Sequence, residues 1–179
     1  MPSNDLDVPG FGPAAEGEPT VFGAPRPGYP RHQVTPEEVA VWLAFMRGQG
    51  IQRVVCLLTP DQLSYYDDLL GRYQAHFGAA RVRLAPIPDL YLADLPTLTG
   101  GILPFLLEAD REGERTVVHC SAGIGRTGHV LAAWLVAARG YTNAEAIAAV
   151  ARGGRDAQES GDAELGALLD ACRSWAATR

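Results

Sequence analysis

A cysteine, three glycines and an arginine lie within one short stretch, Val118–Gly128, with the sequence VHCSAGIGRTG. Cys120 ends an apolar segment, and Arg126 follows it across a loop that contains Gly123 and Gly125. The backbone N–H groups of such a loop can turn inward and bind an anion, and the N-terminus of a following helix adds further N–H groups. An arginine also contacts two phosphate oxygens at once, which a lysine cannot do. The stretch therefore predicts a site that holds a phosphate group against sulfur.

The sulfur of Cys120 is the predicted nucleophile of this site. Helix N-termini and nearby cations favour the thiolate form of a cysteine. We expect the thiolate to attack phosphorus in line with the leaving oxygen and to form a phosphocysteine. His119 is expected to orient the loop through hydrogen bonds, and the Thr127 hydroxyl to hydrogen-bond the sulfur and help it leave in the second step.

These residues resemble the signature of the cysteine-based protein tyrosine phosphatases, His-Cys-x-x-Gly-x-x-Arg-Ser/Thr-Gly. Every fixed position is present, as His119, Cys120, Gly123, Arg126 and the pair Thr127–Gly128. The short chain, which lacks a Trp-Pro-Asp acid loop, is most similar to the small dual-specificity branch with its kinase-associated and prokaryotic relatives. The resemblance implies that the following loop residues bind the phosphate together with the arginine: Ser121, Ala122, Gly123, Ile124 and Gly125.

The resemblance also implies an aspartic acid on the loop that precedes the signature. Residues 81–88, with the sequence RVRLAPIP, are predicted to form a strand, and Asp89 follows directly. Such an acid protonates the leaving oxygen and then takes a proton from the water that hydrolyses the phosphocysteine. Asp94 lies on the same loop and is the alternative, although its place before a helical stretch favours a helix N-cap.

Strands and helices alternate around the signature. Apolar strands are predicted at residues 20–23, 51–58, 81–88 and 116–119, the first of them at a sheet edge. Helices are predicted at residues 35–47, 59–77, 95–109 with a kink at Pro104, 127–139, from 142, and from 162 to the end. This pattern predicts an α/β fold with a central, mostly parallel sheet and helices on both faces. Ligands bind at the carboxyl ends of such strands, so Cys120 and Asp89 can meet at one rim.

Composition predicts one globular domain over residues 19–179. Proline, glycine and acidic residues dominate residues 1–18, which are expected to be poorly ordered. The chain has 179 residues and a net charge of −6, and its 15 basic residues are all arginine. Because no basic stripe is visible, nucleic acid and anionic membrane surfaces are not expected partners.

The cysteines indicate a reducing compartment. Cys56, Cys120 and Cys172 are an odd number at irregular spacing, which argues against a disulfide scaffold and for the cytoplasm. A secretory signal is not expected at the start of the chain, and the longest apolar run, Val130–Ala138, is too short to span a bilayer. No cluster has metal-ligand spacing, so neither a metal nor an organic cofactor is expected. The expected ligands are a phosphorylated protein or peptide and, in the loop, phosphate, sulfate or vanadate.

Several residues outside the signature retain two interpretations. Cys56 is either a core residue or a thiol that protects Cys120 as a reversible disulfide. Gln158 is either a plain loop residue or one that positions water. His129 is interpreted as a packed or capped histidine, and Cys172 as a packing residue. Two interpretations also remain for residues of the first long loop, which either form a wall of the substrate pocket or belong to a solvated loop: Arg26, Tyr29, Arg31 and His32.

The predicted function is hydrolysis of phosphotyrosine, with phosphoserine and phosphothreonine as further candidate substrates. A phosphoinositide or other small-molecule phosphatase is one alternative, but relatives of that kind often carry lysines in the loop, and here its variable positions are neutral. A non-catalytic phosphate-binding module is another alternative. Such modules typically lose the nucleophile, the arginine or the acid, and this chain has candidates for all three.

Overall fold

The computed structural model describes residues 7–179 and contains one five-stranded sheet, ordered β1–β2–β5–β3–β4. The strands are β1 (Gly12–Pro13), β2 (Val21–Ala24), β3 (Ile51–Cys56), β4 (Val82–Leu84) and β5 (Arg115–His119). β1 pairs antiparallel with β2, and all other neighbours are parallel. The mostly parallel sheet is confirmed. The prediction that residues 20–23 form an edge strand is wrong, because β1 covers the outer side of β2.

The helices of the described chain lie on both faces of this sheet, as predicted. They are α1 (Pro36–Gly48), α2 (Pro60–Leu63), α3 (Leu69–Phe77), α4 (Leu103–Glu112), α5 (Gly125–Arg139), α6 (Asn143–Arg152) and α7 (Asp162–Ala177). Successive side chains of a strand point to opposite faces. Val117 therefore packs with α1 and α3, whereas Val118 packs with α4 to α7. Helix α5 is buried along most of its length, which fixes the orientation of its N-terminus at the sheet rim.

Threonine caps begin α1 and α6, as the sequence predicts. The Thr35 hydroxyl accepts the N–H of Glu38, and the Glu38 carboxylate accepts the N–H of Thr35 at 2.8 Å. Thr142 and Glu145 repeat this reciprocal pair.

The predicted single helix over residues 59–77 is wrong, because the chain leaves the helix after Leu63. Asp68 takes a left-handed conformation with φ of 55°, and its carboxylate accepts the N–H of Gly71 to begin α3. The helix over residues 95–109 is irregular at its start, where Thr97–Ile102 forms a π-helical turn before α4. Pro104, which has no N–H to donate, stands in the first turn of α4.

The prediction of a poorly ordered segment is wrong for residues 7–18. The Ala14 N–H donates to the Val21 carbonyl at 2.9 Å, and the Ala14 side chain is buried. Arg155 donates to the Gly10 carbonyl at 2.9 Å. Composition alone does not predict these contacts, because their partners lie in β2 and in a loop far along the chain. Residues 1–6, which belong to the same prediction, lie outside the described residues. No helix in the described chain is long and apolar enough to cross a bilayer.

Candidate active site

The loop of residues 120–126, called the phosphate loop below, joins β5 to α5 at the carboxyl end of the sheet. The Gly123 N–H donates to the Cys120 sulfur at 3.3 Å. Gly123 has φ of 76°, and a Cβ there would lie 2.6 Å from the Ala24 carbonyl, so glycine is required on both counts. Helix α5 begins at Gly125, earlier than predicted, which puts Arg126 in its first turn.

Arg126 is fixed in place but retains bonding capacity. The residue is 2% exposed, and its Nη1 donates to the Ile87 carbonyl at 3.0 Å and to the Gln62 side chain at 2.9 Å. Its Nη2 lies 3.4 Å from the Asp89 carboxylate. Arg126 Nε and the Thr127 hydroxyl are both buried without a hydrogen-bond partner in the described chain. Buried polar groups are normally paired, so these two atoms indicate that a ligand completes the site.

His119 supports the loop from the end of β5. Its Nδ1 donates to the Cys120 carbonyl at 3.0 Å, and its Nε2 accepts the Tyr73 hydroxyl at 2.9 Å. Complete burial lowers the pKa of His119 to about 4. The imidazole is therefore neutral with both nitrogens engaged, which suits an orienting residue and not a base.

Arg26 is the member of the first long loop that contacts the phosphate loop. Its Nε donates to the Ser121 hydroxyl at 3.0 Å, and its Nη1 donates to the Tyr66 hydroxyl at 3.2 Å. The guanidinium carbon lies 4.9 Å from the centre of the Tyr65 ring, within cation–π range. Arg26 is buried and so backs the loop instead of reaching over its mouth.

The other residues of that first loop lie farther out. Arg31 is exposed and donates to the Glu38 carboxylate at 2.6 Å. His32 stacks on Tyr65 with 4.5 Å between ring centres, and Tyr29 is exposed.

The loop of residues 85–94, called the acid loop below, brings Asp89 to the site. The Ile87 N–H donates to the Leu57 carbonyl at 3.1 Å, which extends the β3–β4 pairing into the loop. The Asp89 side chain is 64% exposed and faces Arg126. Leu90 has φ of 65°, and its N–H donates to the Asp89 carboxylate at 3.2 Å. Asp89 thus stands at the solvent side of Arg126.

Asp94, the alternative acid, serves the helix that follows. Its carboxylate accepts the Thr97 N–H at 2.8 Å. Hydrogen bonds from Thr97 lower the pKa of Asp94, which disfavours the protonated form that a general acid needs.

Two residues near the site were not predicted to contribute. His129 is buried, and its Nε2 accepts the Ala93 N–H of the acid loop at 3.0 Å. The Glu159 carboxylate lies so close to Gly125 that a Cβ there would overlap it. Burial, followed by the charge of Asp89, raises the pKa of Glu159. Neither residue belongs to the signature, and the neighbouring Gln158 is exposed.

The remaining cysteines are fully buried and free. Burial raises the pKa of Cys56 to about 12 and that of Cys172 to about 11. Both thiols are therefore protonated at neutral pH, which favours the packing interpretation of each.

Comparison with known proteins identifies relatives of this chain. Residues 32–140 match the family described as "Polymorphic toxin system, DSP-PTPase phosphatase". Over 116 residues, 63% of this chain, the sequence is 31% identical to the amyloplastic phosphoglucan phosphatase DSP4 of Castanea sativa. The match covers 30% of that relative, so the chain spans about a third of its length.

Solved structures share the fold. The active form of Tk-PTP matches with a TM-score of 0.70 and 24% identity over 94% of this chain and 99% of that one. P. aeruginosa TpbA in complex with pTyr matches with a TM-score of 0.60 and 21% identity over 90% and 88% of the two chains. PTPMT1 in complex with PI(5)P matches with a TM-score of 0.68 and 14% identity over 96% of each. At these identities the structures establish the fold alone.

Proposed function

The chain belongs to this DSP-PTPase family of cysteine-based phosphatases, and we propose that it hydrolyses phosphotyrosine in proteins through a phosphocysteine. Phosphoserine and phosphothreonine are further substrates within the proposal. One observation carries it: the Cys120 sulfur lies in a loop whose buried arginine has no partner for its Nε among the described residues, and Asp89 stands 3.4 Å from that arginine.

The first step transfers the phosphoryl group to sulfur. The N–H groups of the phosphate loop and Arg126 hold the dianion and stabilise the charge on its equatorial oxygens. The Cys120 thiolate forms the S–P bond as the bond between phosphorus and the tyrosine oxygen breaks. Asp89, protonated before the step, gives its proton to that oxygen, and a neutral phenol leaves.

The second step returns the cysteine. Asp89, now a carboxylate, takes a proton from a water molecule as the water oxygen attacks phosphorus. The S–P bond breaks, inorganic phosphate forms and Cys120 leaves as a thiolate. In this proposal the Thr127 hydroxyl, which has no partner in the described chain, donates to the departing sulfur.

The rim of the site supports phosphotyrosine as the substrate. The variable positions of the phosphate loop carry no charge, and exposed apolar side chains lie on that loop at Ile124 and on the acid loop at Leu90 and Tyr91. An aromatic ring carrying one phosphate suits such a rim. The arginines that could attract further phosphates are otherwise engaged, because Arg26 is buried against Ser121 and Arg31 pairs with Glu38.

Substrate competition tests the proposal. We expect the highest kcat/KM for a phosphotyrosine peptide, measured beside soluble short-chain phosphoinositides and a phosphorylated glucan. The phosphoinositides are chosen because PTPMT1 was solved in complex with PI(5)P, and the glucan because the Castanea sativa relative is named a phosphoglucan phosphatase. A clear preference for either one would replace the proposed substrate and leave the chemistry standing.

The chemistry has its own test. Release of p-nitrophenol from its phosphate should be blocked by vanadate and unaffected by a chelator. Absence of turnover in the fully folded protein would contradict a catalytic role and favour a phosphate-binding module.

We also propose that the protein acts in the cytoplasm. A thiolate nucleophile needs a reducing environment, and the three cysteines are free. Localisation of the tagged full chain by cell fractionation tests this proposal.

A further inference from the structure

The acid loop is tied to helix α5 on both sides of Asp89. Before Asp89, the Ile87 carbonyl accepts Arg126 Nη1 at 3.0 Å. After Asp89, the Ala93 N–H donates to His129 Nε2 at 3.0 Å. Arg126 and His129 lie one turn apart on the same face of α5, so one rigid helix holds both ends of the loop.

The segment between these two ties has little packing of its own. The Asp89 side chain is 64% exposed, and Leu90 and Tyr91 are 63% and 66% exposed. A segment with so few buried contacts does not fix its own position. The place of Asp89 over the phosphate loop therefore depends on the two ties.

His129 is suited to hold one of the ties. The residue is 1% exposed, so its imidazole is shielded from water. A neutral imidazole has one acceptor and one donor nitrogen. Here the acceptor takes the Ala93 N–H. Burial lowers the pKa of His129 to about 4, which keeps the acceptor nitrogen unprotonated.

We propose that His129 is a positioning residue for the acid step: it joins the acid loop to helix α5, which begins in the phosphate loop, and so holds Asp89 where the leaving oxygen departs. The inference rests on the proposed function. His129 does not touch the substrate. Its loss should therefore impair protonation of the leaving group and spare the attack by Cys120.

The experiment compares two leaving groups. Phenyl phosphate releases a phenol that needs a proton, whereas p-nitrophenolate leaves readily without one. For His129→Leu we expect kcat on phenyl phosphate to fall about 10–100-fold, part of the usual contribution of a positioned acid. The fall on p-nitrophenyl phosphate should be less than about threefold, because that reaction depends little on the acid. His129→Gln, whose amide has both an acceptor and a donor, should recover part of the phenyl phosphate rate.

Leu131→Ala on the same helix is the matched control for lost stability, because Leu131 is fully buried and is not part of either tie. The Leu131→Ala variant should either lower kcat on both substrates by the same factor or leave kcat on both unchanged. Combining His129→Leu with Asp89→Ala should cost little beyond Asp89→Ala alone, because the two residues serve one step.

Equal losses on both substrates in folded His129→Leu or His129→Gln, or additive losses in the double variant, would overturn the inference. These outcomes differ from failure of the proposed function, which would appear as an inactive wild-type protein.

Discussion

Buried arginines occur at both ends of the sheet, and their partners differ. At the amino end, Arg53 is 4% exposed and is ringed by three carboxylates. It lies 2.9 Å from Glu108 and 2.7 Å from Glu112, and it also bonds Glu114. This cation is compensated entirely by the protein's own anions.

Around the phosphate loop the compensation is missing. Arg26 and Arg155 are buried, and neither has a carboxylate within 4 Å among residues 7–179. Arg155 Nε has no hydrogen-bond partner there, and the sulfur of Cys120 raises the pKa of this guanidinium against the larger effect of burial. Within the described part of the chain, the one carboxylate near Arg126 is that of Asp89 at 3.4 Å, on an exposed loop.

An uncompensated buried charge is costly, so its persistence indicates a use. The amino-end arginine stabilises the fold, and its charge is neutralised there. Arg126, whose Nε has no hydrogen-bond partner among residues 7–179, retains bonding capacity for an anion that arrives with the substrate. Arginines that are paired with carboxylates are thus distinguished from arginines that are not, and each prediction below tests one of these two groups.

Removing the sulfur should have the largest effect. Cys120→Ser replaces the proposed sulfur nucleophile with a weakly nucleophilic hydroxyl, and turnover should fall on the order of 10⁴–10⁶-fold. The uncompensated arginines remain, so inorganic phosphate should still raise the thermal midpoint of the variant. Both are measured on protein produced without contact with the wild type. Residual turnover of a few per cent would rule out Cys120 as the nucleophile.

The carboxylate nearest to Arg126 gives the next largest effect. Asp89→Ala should lower kcat on phenyl phosphate by roughly 10²–10⁴-fold, because the leaving oxygen then departs without a proton. The fall in rate on the alkaline side of the pH–rate profile should flatten, because only a protonated carboxyl can supply the proton. Asp94→Ala is the matched control and should change stability more than rate, since Asp94 caps a helix. The opposite pattern in these two variants would transfer the acid role to Asp94.

A matched arginine pair tests the contrast directly. Arg126→Lys should lower kcat/KM by roughly 10²–10³-fold with little change in the free energy of unfolding, because lysine keeps the charge but not the planar contact. Arg53→Lys should do the reverse. It should leave kcat/KM unchanged and lower the free energy of unfolding by about 1–3 kcal/mol, since lysine cannot bond three carboxylates at once. Similar kinetic losses in both variants would refute the division.

The sequence was sufficient to predict the phosphate loop because its parts are contiguous. One short stretch contains the strand end, Gly123, Arg126 and the start of the helix. The helix cap at Thr35 is predicted in the same way, because Glu38, its partner, is only three residues away. The predicted place of Asp89 follows from the same strand order.

Other features depend on partners far apart in the chain. The bond from Ala93 to His129, the contact of Glu159 with Gly125, and the order of residues 7–18 have no local signal. The break before Asp68 depends on one left-handed residue, which propensity does not reveal. Tertiary contacts decide such features, so the sequence pattern could not predict them.

The smallest predicted effect is the dependence of folding stability on pH. Stability should respond to pH in different ranges at the two ends of the sheet. Burial lowers the pKa of His119 and of His129 from 6.5 to about 4. Between these values the unfolded chain binds more protons than the folded one, so stability falls as pH falls through this window. Each histidine should contribute a loss of about 1 kcal/mol between pH 7 and 5.5.

At the amino end of the sheet, stability also falls as pH falls, but the loss occurs at lower pH. Hydrogen bonds from Arg81 lower the pKa of Glu114 from 4.5, and those from Arg139 lower the pKa of Asp110 from 3.8. These carboxylates stabilise the fold above their usual pKa values, and that contribution is lost only as pH falls through the lowered ones. Urea midpoints measured from pH 7 to pH 3 should therefore show two zones. His129→Gln should reduce the slope of the upper zone by about half, because His119 still titrates there, and leave the lower zone unchanged. Glu114→Gln should reduce the slope of the lower zone alone, where Asp110 still titrates. If Glu114→Gln instead changed the slope above pH 5, the two ends would not titrate separately, and the division between a compensated and an uncompensated charge cluster would lose its thermodynamic basis.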